Sequence, residues 1–121
     1  MLDAGALGGC ERNDRRVVGV VARALHHVDP LVVPAGVVGQ VWREGARQVR
    51  LVRLLGSPVC HGVALDDTAA RAAGQQCGAS GTSDVIDASV VVVARQRGLR
   101  VVTSDPDDLR RLDPRLDVVT V

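Results

Sequence analysis

The stretch that decides the fold is DVIDASVVVVARQRGLRVVTSDP, residues 84–106. Its valine run, residues 90–93, has high strand propensity, yet residues 84–97 are too long for one strand and contain no turn residue. A clear strand follows at residues 99–103, and strands flanked by helices need a helix before it. We therefore predict a buried helix over 84–97, and then, after the strand, a short helix opened by Asp105 and Pro106 and ending near residue 112.

Outward from this stretch, apolar strands continue to alternate with helical segments. The remaining predicted elements are a small-residue turn over 4–9, a helix capped by Asn13 or Asp14 and ending near residue 27, a strand over 31–33, one helix over 37–55, a strand over 59–63, an alanine-rich helix from Asp66 or Asp67 to about residue 78, a loop over 78–81, an N-cap at Thr82 or Ser83, and a strand over 118–121. This alternation implies parallel β-α-β units and an α/β sandwich.

Length and composition limit the possible functions. A chain of 121 residues is expected to form one domain, residues 1–121, and a net charge of +1 predicts no strong bulk attraction to nucleic acid or membrane. All 15 basic residues are arginines, which excludes a P-loop lysine, Schiff-base chemistry and the lysine of a receiver-type phosphorylation switch. Trp42 is the only aromatic residue, so a base-stacking platform is not expected.

The cysteines and the hydropathy pattern bear on the compartment. Cys10, Cys60 and Cys77 are odd in number and form no CxxC motif, which favours a reducing compartment, so we expect a cytoplasmic protein. No segment offers 18 uninterrupted apolar residues, and no basic region precedes an apolar run at the start. Neither export nor membrane insertion is expected.

Four aspartates stand where a strand ends or a helix begins: Asp3, Asp84, Asp87 and Asp105. In a parallel α/β sheet such positions converge on the edge where ligands usually bind. Carboxylates without a Cys/His set favour Mg²⁺ or Mn²⁺. For the last three, helix capping is an equally good explanation. Asp3 is different, because Ala-Gly-Ala is a poor helix start.

At this point the chain resembles a known family. LDAGAL at residues 2–7, VVPA at 32–35, DASVVVVA at 87–94 followed by Gly98, and VVTSD at 101–105 occur in the order seen in PIN-domain ribonucleases, the toxin subunits of VapBC-type toxin–antitoxin modules. The resemblance covers nearly the whole chain. It implies a PIN-like three-layer α/β/α sandwich around a mostly parallel central sheet.

The resemblance also implies a site and a reaction. Asp3, Asp87 and Asp105 correspond to the family's catalytic and metal-binding acids, with Asp84 as a neighbouring helper or ligand. The implied reaction is hydrolysis of RNA phosphodiester bonds with Mg²⁺, for which Mn²⁺ is a substitute. Thr103 or Ser104 would hydrogen-bond a ligand or a phosphate.

Two departures from the family pattern concern the acids. The family's usual glutamate aligns with Gln40, which has an amide oxygen but no charge. Glu44 lies one turn later on the same predicted helical face and is either its replacement or a solvated residue. In addition, only Met1 and Leu2 precede Asp3, so the central strand is expected to be short unless the natural chain begins upstream.

The expected partners follow from the resemblance and from one basic stripe. Arg43, Arg47 and Arg50 share a face of the helix predicted over 37–55, and form either a solvated surface or a stripe that contacts RNA phosphates. The resemblance implies an RNA substrate, a homodimer and a cognate antitoxin whose C-terminal segment covers the acidic pocket. The alternative function is a catalytically weakened PIN-like domain that binds an antitoxin or RNA.

Overall fold

The computed structural model describes residues 1–121 as a mixed α/β fold in which helices predominate. In chain order its elements are α1 (Ala4–Glu11), α2 (Arg15–His26), β1 (Leu31–Pro34), α3 (Ala35–Val41), a 3₁₀ turn (Gly45–Arg47), α4 (Val49–Leu55), β2 (Cys60–Val63), α5 (Asp67–Ser80), α6 (Val85–Arg97), β3 (Val101–Thr103), α7 (Pro106–Leu112) and β4 (Val118–Thr120). The alternation of strands and helices expected from the sequence is confirmed.

The strands form two small parallel sheets, β1 with β2 and β3 with β4. The first three residues lie between them. Leu2 N–H donates to the Val32 carbonyl (3.0 Å), Asp3 N–H donates to the Val102 carbonyl (3.2 Å), and Leu2 forms an isolated parallel bridge with Val102. One short segment therefore links the two sheets, as expected from the few apolar residues before Asp3.

The valine-rich segment is a helix, as predicted. Asp84 caps α6 by accepting the Asp87 N–H (3.0 Å), and Gly98, at φ +63°, ends it in the left-handed conformation that glycine adopts without strain. Six of its 13 residues are buried, and Val90, Val91 and Val93 lie in a core cluster of 24 residues. Burial therefore outweighs the strand propensity of the β-branched run.

The continuous helix predicted over 37–55 is wrong. The backbone leaves the helix at Trp42, and the Gln48 side chain takes over the hydrogen bonds of the broken turn. Its amide oxygen accepts from Arg43 N–H (2.8 Å) and Glu44 N–H (3.1 Å), while its amide nitrogen donates to the Val41 carbonyl (3.0 Å). Gly45 leaves room for the Trp42 ring, which a Cβ at that position would meet at 2.9 Å.

The turn predicted over residues 4–9 is also wrong, because these residues form most of α1. Three glycines make this segment a poor helix former, but Ala6 and Leu7 are fully buried and Gly9 packs so closely on Val17 that a Cβ would lie 2.7 Å from it. Tertiary packing thus stabilises a helix that propensity disfavours.

Two smaller boundary predictions need correction. The loop predicted over 78–81 is helical up to Ser80, and Gly81 caps α5 at φ +68°. The N-cap of α6 is Asp84, since its carboxylate accepts the hydrogen bond that Thr82 or Ser83 was expected to accept.

The helices pack in two groups. α1 contacts α2, α3 and α4, while α5, α6 and α7 contact one another. The two groups meet where α3 packs on α6. No single helix is long and apolar enough to cross a membrane; α5 and α6 reach that length and composition only as a pair, with a bend of 104° between them.

Candidate functional site

The predicted acids do meet at one edge of the strands. Asp3 follows Leu2, Asp105 lies two residues after β3, and the start of α6 brings Asp84 and Asp87 to the same edge. Each of Asp3, Asp84 and Asp105 contributes to the electrostatic environment of Asp87. The topology therefore gathers carboxylates that are up to about 100 residues apart in the chain, as parallel strands allow.

Asp3 is a buried carboxylate with a structural role of its own. It is 6% exposed, and its Oδ1 accepts the Ala6 N–H (2.9 Å), which makes it the N-cap of α1. The expectation that Asp3 is not a cap is therefore wrong. Burial raises the pKa of Asp3, hydrogen bonds from Thr103 and Ala6 oppose that rise, and Asp105 adds to it.

Asp87 has the strongest perturbation among the acids. Burial, followed by the charges of Asp84, Asp3, Asp108 and Asp105, raises the pKa of Asp87 to about 6. Its hydrogen bond to Asp84 uses the backbone N–H, so its own carboxylate is not engaged in capping. A half-buried carboxylate that faces other carboxylates is a suitable ligand for a cation.

Asp105 stands at the start of α7 without capping it, because no side-chain hydrogen bond joins it to the helix. Thr103 holds this loop: it is fully buried, and its hydroxyl oxygen accepts the Asp105 N–H (2.9 Å). Ser104 is exposed and lies against Gly5, where any Cβ would overlap its hydroxyl. Both hydroxyl residues therefore lie at the acidic edge.

A further acid, Asp108, belongs to this cluster and was missed in the sequence. It raises the pKa of Asp87, and it lines a cavity of about 300 Å³ between the start of α6 and α7. We call this the α6–α7 cavity; its lining residues are Thr82, Ser83, Asp84, Asp87, Asp108, Arg111 and Leu112. Asp108 could have been predicted from its spacing of three residues from Asp105, because this spacing places two residues on one helical face.

Gln40 and Glu44 do not join the acids in the expected way. Gln40 is exposed near the end of α3, and Glu44 lies beyond that end, in an exposed ion pair with Arg47 (3.3 Å). Because the helix breaks at Trp42, the prediction that Glu44 shares a helical face with Gln40 is wrong. Glu44 is also absent from the charges that raise the pKa of Asp87.

The break in the helix at Trp42 also separates the three arginines that were predicted to form a stripe. Arg43 lies in the link after α3 and donates to the Trp42 carbonyl (2.7 Å), Arg47 lies in the 3₁₀ turn, and Arg50 lies in α4. Arg50 lines a different cavity of about 280 Å³, beside α2. The prediction that these three residues share one helical face is wrong, and their role in RNA binding stays a prediction.

Carboxylate oxygens, the polar groups at this edge, are the donor type that Mg²⁺ and Mn²⁺ prefer. Neighbouring carboxylates raise the pKa of Asp3 and of Asp87, and a bound cation would stabilise the ionised form of both. No three His, Cys, Asp or Glu side chains stand close enough together to form a complete set of metal ligands. Mg²⁺ commonly retains several waters and uses only one or two carboxylates together with substrate phosphates, so a site of this kind needs fewer protein ligands.

Comparisons with known proteins add no family assignment. No protein-family model matches this chain, and no curated protein matches it either. The function of this chain is therefore inferred from the geometry of the acidic edge and from the order of the sequence motifs.

Proposed function

We propose that this chain is a Mg²⁺-dependent endoribonuclease, the toxin of a type II toxin–antitoxin system. The observation that carries the proposal is the convergence of Asp3, Asp87 and Asp105 at one edge of the parallel strands, where burial and like charges raise the pKa of Asp87 to about 6. Such perturbed carboxylates cluster at catalytic and cation-binding sites. The motif order that resembles PIN-domain ribonucleases supports the same reaction.

For the fold, we infer a PIN-like three-layer α/β/α sandwich. Two observations support it. The hydrogen bonds of Leu2 and Asp3 place the short first segment between β1 and β3, which gives the order β2, β1, Leu2, β3, β4 in parallel. The helices form two groups, α1 to α4 and α5 to α7, as expected for the two outer layers.

In this proposal Asp3, Asp87 and Asp105 hold the cation, directly or through water. A bound Mg²⁺ or Mn²⁺ supplies activation of a water nucleophile and stabilisation of charge on the leaving oxygen. Asp84 fixes the start of α6 and so orients Asp87, while Thr103 fixes the loop that carries Asp105. Ser104, exposed at the same edge, is placed to donate a hydrogen bond to a phosphate oxygen.

The proposed partners rest on the resemblance. We propose a homodimer in the cytoplasm, neutralised by a cognate antitoxin whose C-terminal segment covers the acidic edge. Three free cysteines agree with a reducing compartment.

Three observations favour the alternative, a weakened PIN-like domain that binds an antitoxin or RNA. Gln40 brings no charge, Glu44 does not replace it, and no three acids form a complete ligand set. Such a module would bind its partner without hydrolysing a phosphodiester bond.

Cleavage of a mixed cellular RNA pool, with Mg²⁺ or Mn²⁺ against EDTA, tests the proposal. Asp3→Asn and Asp87→Asn are expected to abolish discrete, metal-dependent fragments, and asparagine at position 3 keeps the capping oxygen. Asp29→Asn is the matched control, because Asp29 is exposed and precedes β1, at the opposite end of the strands. Absence of cleavage by folded wild-type protein at every metal concentration would instead support the binding module.

A further inference from the structure

The α6–α7 cavity contains one basic side chain among its acids. Asp84, Asp87 and Asp108 line it, and Arg111 is the only lysine, arginine or histidine in its wall. The cavity is at the lower end of the usual size range for small-molecule sites, which suits a small polar group. An arginine in such surroundings needs an explanation.

The ion pair between Arg111 and Asp108 does not explain the presence of this arginine. The contact between Arg111 Nη1 and Asp108 Oδ1 is long, at 3.4 Å, and both side chains are largely exposed. Exposed pairs of this kind contribute little to stability. Arg111 makes no other hydrogen bond to the protein, so most of the five N–H donors of its guanidinium remain available.

The charge of the site defines what those donors would bind. A phosphodiester that approaches three carboxylates is repelled unless positive charge accompanies it. Arginine suits this role, because its planar guanidinium forms two parallel hydrogen bonds with phosphate oxygens.

We propose that Arg111 binds a backbone phosphate of single-stranded RNA in the α6–α7 cavity, next to the proposed catalytic acids. This inference rests on the proposed function and adds a substrate-binding residue to it. Arg111 would contact the phosphate directly and set the register of the RNA relative to Asp87.

Fluorescence anisotropy with a fluorescein-labelled single-stranded RNA, measured in Ca²⁺ at several salt concentrations, tests this role. Arg111→Gln is expected to weaken binding about tenfold, as for loss of one charge-assisted hydrogen bond. The slope of log K against log salt should fall by about 0.7, the value for one lost phosphate contact on a single strand. Arg110→Gln removes the same charge from the neighbouring exposed position outside the cavity, and should leave the slope and affinity close to wild type.

Two outcomes would overturn the inference and differ in what they mean for the nuclease. If wild-type protein binds and cleaves RNA but the Arg111 and Arg110 variants behave alike, only the role of Arg111 is wrong. If folded wild-type protein neither binds nor cleaves RNA, the proposed function is wrong as well. Recovery of part of the affinity by Arg111→Lys, which keeps the charge without the bidentate geometry, would support the direct contact.

Discussion

Replacement of Asp87 by asparagine should stabilise the metal-free protein. Burial and the neighbouring carboxylates raise the pKa of Asp87 from 3.8 to about 6, so the ionised form is disfavoured in the folded state. At about 1.36 kcal/mol per pKa unit, this rise corresponds to roughly 3 kcal/mol. The side chain is only half-buried, and solvent screening reduces the value to roughly 1.5 kcal/mol. The substitution also removes a negative charge that the helix dipole favours in the first turn of α6, which lowers the stability by about 0.5 kcal/mol. The net gain in the free energy of unfolding is then roughly 1 kcal/mol.

The stability gained by Asp87→Asn should increase with pH. Between pH 3.8 and about 6, the folded protein holds a proton on Asp87 that the unfolded chain has lost, so this residue lowers stability as the pH rises. The advantage of Asp87→Asn is therefore near zero below about pH 4 and complete above about pH 7. Urea unfolding followed by far-ultraviolet circular dichroism in EDTA, at both ends of this range, measures it.

One control variant and two possible results test whether charge relief explains the effect of Asp87→Asn. Asp29→Asn, at an exposed position away from the acidic edge, should change the free energy of unfolding little at either pH. A stabilisation by Asp87→Asn that is equal at both pH values would show that relief of charge is not its cause. A variant that is less stable than wild type at neutral pH would refute the crowding of carboxylates around Asp87.

Four further substitutions test the backbone conformation. Gln48→Ala removes the three hydrogen bonds that replace the broken helix turn and should cost about 1–3 kcal/mol in urea unfolding. Val28→Gly should stabilise by about 1 kcal/mol in the same assay, because Val28 is 71% exposed and held at φ +56° at the end of α2. Gly98→Ala should lower stability by about 1 kcal/mol owing to its φ of +63°. Gly74→Ala, in open space within α5, should instead raise stability by about 0.5–1 kcal/mol. Thermal unfolding of Gly98→Ala and Gly74→Ala measures this difference.

Local signals were sufficient for the segment from α6 to α7. Its length, the acids at its start, Gly98 after its last turn and Pro106 at a first helical position all indicate the same structure, and the structure agrees. The break after α3 could not be predicted in this way. It depends on one side chain, Gln48, that hydrogen-bonds to backbone groups four to seven residues away, and hydrophobic periodicity gives no information about such bonds.

The same distinction applies to the positions of the acids. Strand-end positions are set by topology, so Asp3 and Asp105 could be assigned to one edge from the order of the elements alone. Glu44 could not be placed, because its position depended on a continuous helix. Asp108 was missed because an acid in the first turn of a helix is usually explained by the helix dipole.

The hydrogen bonds also show which of these acids cap a helix, a question that the sequence left open. Asp3 and Asp84 each accept a backbone N–H at a helix start, so capping explains at least part of their presence. Asp87 and Asp105 make no such bond with their carboxylates, although Asp105 stands at the N-cap position of α7 and Asp87 lies in the first turn of α6. Asp87 is held half-buried against like charges, at a cost to stability that no hydrogen bond to its carboxylate offsets. Because a residue that only supported the fold would be better as asparagine here, Asp87 gives the strongest reason to regard the acidic edge as a functional site.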